Sequence, residues 1–141
     1  MGKEHEEATV RAFAVRSKRE RLVTFLATPK NRRKLLQELP HGRWYDERFA
    51  SPIPWKVDTS LGLWTGHVQG IENICPLLKS KGAGKTCWVL SEDADLDGQE
   101  LKLEFALLEK VIDRELATIL SCIPGRLAFF AGEDETLLLS R

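Results

Sequence analysis

Residues 86–90, Thr-Cys-Trp-Val-Leu, and residues 124–140, Pro-Gly-Arg-Leu-Ala-Phe-Phe-Ala-Gly-Glu-Asp-Glu-Thr-Leu-Leu-Leu-Ser, carry the decision about the fold. The first is rich in β-formers and reads as a buried strand. In the second, Pro124-Gly125 turns the chain into a strand over 126–131, and Gly132-Glu133-Asp134-Glu135 turns it again into a strand over 136–140. Between the two segments, Leu101, Phe105, Leu108, Ile112, Leu116, Ile119 and Leu120 form an apolar stripe, widened by Leu107 and Val111, which predicts a helix over 99–121. Strand, helix, strand and hairpin in that order predict an α+β fold. The expected arrangement is one two-layer domain over residues 1–141, a small mixed sheet covered by helices. Parallel strands at 86–90 and 126–131 would require a right-handed crossover.

Working outward, Ser17-Lys18-Arg19-Glu20 has the form of a capping box and predicts a helix over 18–28. Thr28-Pro29 reads as an N-cap followed by a first-turn proline, opening a helix over 29–39 that buries Leu35, Leu36 and Leu39. Ile71, Ile74, Cys75 and Leu78 predict a helix over 67–81 that stops at Gly82, with Pro76 kinking it or delaying its start. Residues 9–16 alternate weakly and suit a fourth strand, although the acidic flank Glu4 to Glu7 equally suits a helix start. Residues 40–66 are expected to form an ordered crossover clamped by Trp44, Tyr45, Phe49, Trp55 and Trp64.

The 141 residues are 43% apolar and 30% charged, which excludes a disordered tail or a fibre. No window approaches eighteen apolar residues, so no membrane span is expected. Cys75, Cys87 and Cys122 are odd in number and lack C-x-x-C spacing, so neither a complete disulfide framework nor a zinc site can be written from them. Such thiols suit a reducing compartment. The acidic start, Met1 to Glu7, does not suit a signal peptide, and Glu6 breaks the myristoylation pattern, so a cytoplasmic location is expected.

Twenty-one basic groups balance twenty-one acidic ones. The zero hides a polarity: residues 1–34 hold ten basic and four acidic groups, or +6; residues 35–91 come to +1; residues 92–141 hold five and twelve, or −7. The basic block includes Arg16, Lys18, Arg19, Arg21, Lys30, Arg32, Arg33 and Lys34. Such density can neutralise phosphates and gain affinity by releasing counterions. Arg32-Arg33-Lys34 also opposes the helix dipole in a first turn, a small local cost that a partner would explain. The ordinary explanations are a solvated face, or neutralisation by the acidic C-terminal third.

Asp93, Asp95, Asp97-Gly98 and Glu104 match the spacing of a calcium-binding loop, whose chemistry needs six to eight oxygens. Against it, a strand and not a helix precedes the loop, Glu100 and Leu101 stand at unsuitable positions, and no second copy exists. The competing reading makes Asp97 the N-cap of the following helix with Glu100 completing the pair. Apart from calcium, no cofactor is expected. Gly82-Ala83-Gly84-Lys85-Thr86 resembles a phosphate loop but has Lys79 where the first glycine belongs, and it follows a helix and opens a strand, the reverse of the required order. His41 and His67, with Asp46, Glu47 and Asp58 nearby, complete no recognisable catalytic motif. Arg43 and Arg48 among the aromatics offer a stacking surface as the alternative to plain packing.

Leu26-Ala27-Thr28-Pro29-Lys30 with Arg32-Arg33-Lys34-Leu35-Leu36, and Leu120-Ser121-Cys122-Ile123-Pro124-Gly125-Arg126-Leu127-Ala128-Phe129-Phe130, resemble segments of a set of small uncharacterised bacterial proteins. The resemblance implies a bacterial, cytoplasmic, stand-alone domain and transfers no active site. The residues point first to a non-enzymatic binding or regulatory domain whose basic helical corner, residues 11–34, meets an acidic partner such as nucleic acid. The alternative is a metal-responsive domain or small enzyme centred on residues 93–104.

Overall fold

The computed structural model describes residues 2–38, 44–52, 74–112, 117–131 and 136–141. Trp55, Trp64, His41, His67 and the first part of the 67–81 helix lie outside the described residues. The fold is α+β, built on a six-stranded sheet in the order β1-β6-β5-β4-β2-β3. Its strands are β1 (Ala50–Pro52), β2 (Thr86–Ser91), β3 (Glu100–Lys102), β4 (Thr118–Ile123), β5 (Leu127–Ala131) and β6 (Thr136–Ser140). Every neighbouring pair is antiparallel, so the sheet is not mixed. The strand containing Val89 and that containing Phe129 never meet, because β4 lies between them, and no parallel crossover is needed.

Helices cover both faces of the sheet rather than one. Along β5, Ala128 and Phe130 pack with one cluster, while Leu127, Phe129 and Ala131 pack with the other. The first cluster joins Leu90, Ile119, Leu137 and Leu139 to Val10, Phe13, Leu22, Leu35, Leu36 and Trp44. The second joins Cys87, Val89, Leu120 and Leu138 to Ile74, Leu78, Leu103 and Leu107. A strand buried on both faces needs no alternation, which is why residues 127–131 and 137–139 read as apolar runs. Both edge strands are three residues long and one contains Pro52, features that discourage pairing with a second chain.

Residues 9–16 do not form a strand: they belong largely to helix α1 (Gly2–Phe13). Glu6, Thr9, Val10 and Phe13 recur at helical spacing on its buried face, and Glu4 in the first turn suits the dipole. The chain then passes through a 3₁₀ turn (Arg16–Lys18), α2 (Arg19–Thr24) and a second 3₁₀ turn (Phe25–Ala27), so the continuous helix expected over 18–28 is broken. Ser17 caps nothing, because it lies inside the first turn, and Glu20 instead pairs with Arg11 at 2.9 Å. Thr28 behaves as expected: its extended backbone opens α3 (Pro29–Glu38), and its hydroxyl accepts the Asn31 N–H at 3.3 Å. Residues 44–46 lie beside the end of α1, with the Asp46 N–H donating to the Phe13 carbonyl at 2.7 Å, and Trp44 is fully buried.

Residues 74–80 are helical, Pro76 included, and form α4. The long helix expected over 99–121 is in fact β3, helix α5 (Leu103–Ile112) and β4. Thr118, Ile119 and Ile123 are β-branched, and β4 sits in the middle of the sheet. Ile119 and Leu120 continue the helical stripe numerically while belonging to a buried strand. Gly125 makes the β4–β5 turn at φ +71°, a backbone conformation that L side chains rarely adopt.

Candidate functional site

The basic block is divided by the geometry of α3. Arg32 precedes Leu35 and Leu36 by three and four residues, so the helical period places it on the buried face. Lys30, Arg33 and Lys34 are spaced i, i+3, i+4 on the other side, and all three are exposed. Arg16 and Arg21 on the preceding corner are exposed as well, whereas Lys18 and Arg19 are half-buried. The Arg21 guanidinium lies 5.3 Å from the centre of the Phe25 ring.

Arg32 is the centre of a buried charge network. Its Nη1 and Nη2 donate to the two carboxylate oxygens of Glu6 at 2.5 and 2.8 Å. Its Nε and Nη2 donate to both oxygens of Asp97 at 3.0 Å each. The two forks hold the planar guanidinium in one orientation, as a lysine could not. Side-chain exposures of 13% for Arg32, 8% for Glu6 and 20% for Asp97 show how little water reaches the ions. The Trp88 Nε1–H also donates to Glu6 at 2.9 Å, and the Ser91 backbone N–H donates to Asp97 at 3.0 Å. The hydrogen bonds that Arg32 donates to Glu6 raise its pKa most, burial opposes them, and those donated to Asp97 raise it further. Two carboxylates against one guanidinium leave one negative charge, which these neutral donors help to stabilise.

Next to it, α1 is pinned to the sheet by neutral groups. His5 Nδ1 lies 2.8 Å from the Ser121 Oγ, and the Thr9 hydroxyl donates to the same oxygen at 3.1 Å. The His5 ring stacks on Trp88 at 6.4 Å between centres. Burial lowers the His5 pKa, opposed by the charges of Glu100 and Glu4. Ser121 is fully buried in β4, so this serine–histidine pair offers no accessible nucleophile. A cavity of about 250 Å³ opens beside the network, lined by Glu6, Glu7, Val23, Leu26, Ala27 and Arg32.

The four carboxylates of the calcium-like pattern are not brought together. Asp97 faces Arg32, Glu104 is 3.2 Å from the Lys79 ammonium, and Asp93 accepts the Asp95 backbone N–H at 3.0 Å within the turn. Among the described residues no group of three or more His, Cys, Asp or Glu side chains is arranged to hold a metal ion. The competing helix-cap reading is also corrected. Gly98 at φ +74° leads from Asp97 into β3, and the helix begins only at Leu103. Asp97 ties the loop to α3 instead of capping α5.

Glu6, His5, Thr9, Trp88 and Ser121 were not singled out from the sequence. Glu6 stands four and seven residues before Val10 and Phe13, and Arg32 shares a face with Leu35 and Leu36. In both helices a charge on an apolar stripe was the available signal. What joins them, and what brings Asp97 to them, is tertiary placement.

The fold and site define an antiparallel α+β domain with one basic helix divided between a buried ionic lock and an outward cationic face. No family model, curated protein or solved structure matches the chain. Among the described residues, no helix is long and apolar enough to cross a membrane.

Proposed function

We propose that this protein is a non-enzymatic binding domain that engages a nucleic acid through its basic helical corner. The observation that carries the proposal is the outward placement of Lys30, Arg33 and Lys34 on one face of α3, with Arg16 exposed on the preceding corner. Arg32 is excluded from the contact surface, since its guanidinium already holds two carboxylates. Lysine and arginine on a solvated helix face can neutralise successive phosphates, and the shape of the backbone rather than base identity would govern such binding.

A cytoplasmic setting accords with three free thiols, Cys75, Cys87 and Cys122. Burial raises the pKa of Cys87 and of Cys122 to about 12, so both remain protonated and serve as packing groups.

Fluorescence anisotropy with labelled duplex DNA and RNA tests the proposal. Binding at low salt, with a loss of at least about tenfold on Arg33→Glu/Lys34→Glu, is expected. No binding to either nucleic acid at low salt would remove it.

A further inference from the structure

At the β3 edge of the sheet, the end of α4, the start of β2, the end of β3 and the first turn of α5 surround a cavity of about 540 Å³. Among the described residues, its lining includes Lys79, Lys85, Thr86, Lys102, Glu104 and Phe105. The walls are tied together: Thr86 pairs directly with Lys102 across the strands, and the Leu103 N–H donates to the Lys85 carbonyl at 2.8 Å. This volume lies within the range of small-molecule sites, roughly 300–1,000 Å³.

Two features of the lining bear on the chemistry of a ligand. Lys79 is neutralised by Glu104 at 3.2 Å, but Lys85 and Lys102 have no carboxylate partner among the described residues. Phe105, 46% exposed, is the one large apolar side chain left open to solvent among the described residues. An exposed ring costs hydration free energy and is a ready platform for a flat partner. Two unmatched ammonium groups beside it, with the Thr86 hydroxyl as a further donor, suit a phosphate.

We infer that this cavity binds a small ligand combining a flat ring with a phosphate, the chemistry of a nucleotide. The ring lies against Phe105, and the phosphate sits between Lys85 and Lys102 within reach of Thr86. The site is not a phosphate loop, since Lys85 and Thr86 leave a helix and enter a strand. It is also separate from the nucleic-acid surface proposed on α3, so each can fail without the other.

Calorimetric titration of the intact protein with adenosine monophosphate tests the inference, with inorganic phosphate and adenosine as half-ligands. Saturable binding of the monophosphate is expected, with each half-ligand weaker by about tenfold or more. Lys102→Ala and Phe105→Ala should each weaken the monophosphate about tenfold, because each removes one of the two recognised parts. Both residues are exposed, and an unchanged melting temperature would show that the variants fold. Arg33→Glu should leave the affinity unchanged. Absence of saturation at millimolar monophosphate overturns the inference. So does binding indifferent to both cavity substitutions, or binding lost in Arg33→Glu.

Discussion

Arg32 illustrates how a single position changes meaning between chain and fold. In the sequence it belongs to a run of three cations at the start of a helix, where cations are mildly unfavourable. In the structure it is a counter-ion for Glu6 and Asp97, joining α1, α3 and the 92–99 loop. Removing one member of such a group leaves buried charges without compensation. Arg32→Met should therefore lower the unfolding free energy by about 3–5 kcal/mol in a urea titration, whereas Arg33→Met, on the exposed face, should change it by about 0.5 kcal/mol or less. A near-neutral Arg32→Met would show that the network contributes little. His5 supplies a pH dependence of definite sign. Its folded pKa is lowered by burial from the ordinary 6.5, so the unfolded chain takes up the proton first. The contribution of neutral His5 is complete above pH 6.5, declines as the pH falls below that value, and levels off below the folded pKa. His5→Gln should flatten that part of the stability profile. An unchanged slope in the variant would assign it to other groups.

At the scale of elements, legibility depended on whether a segment was amphipathic. The α2–α3 junction could be read because Thr28-Pro29 is a local device, acting through one hydroxyl and one missing N–H. Its strength can be checked directly: Thr28→Ala should cost about 1 kcal/mol in chemical denaturation, and no change would mean that packing alone sets the start of α3. The three strands at 86–90, 126–131 and 136–140 were legible because turn residues bound short apolar runs. Residues 99–121 misled for the opposite reason. The Leu101 and Phe105 side of the run and the Ile119–Leu120 side belong to different elements, yet both are apolar, and a strand covered on two faces leaves no period-two mark. Residues 9–16 misled through accidental alternation. The pattern Glu6, Thr9, Val10, Phe13 already had helical spacing, but it becomes visible only when the acidic Glu6 is admitted to the buried face. The candidate site was half legible in the same sense. Basic density on α2 and α3 was plain, but its division into inward and outward cations follows from the phase of α3 relative to Leu35 and Leu36.

At the scale of the molecule, a formal charge of zero does not describe what a partner meets. The acidic C-terminal third reaches the basic block through Asp97, which takes Arg32, while Lys30, Arg33 and Lys34 remain outward. Among the described residues neutralisation is therefore local, and Lys30, Arg33 and Lys34 keep an outward cationic face. The cavity around Phe105 lies at the β3 edge and includes none of these cations in its lining, so a polymeric and a small anionic ligand would use different residues. The central claim is that the exposed cations of α3 bind nucleic acid by displacing counterions. It is tested most directly by the slope of log affinity against log salt concentration for duplex DNA. If Lys30, Arg33 and Lys34 each neutralise one phosphate, the wild-type slope should be about −3, and Arg33→Ala should reduce its size by about one with the unfolding midpoint unchanged. A flat slope, or an Arg33→Ala variant with the wild-type slope and affinity, would contradict the claim.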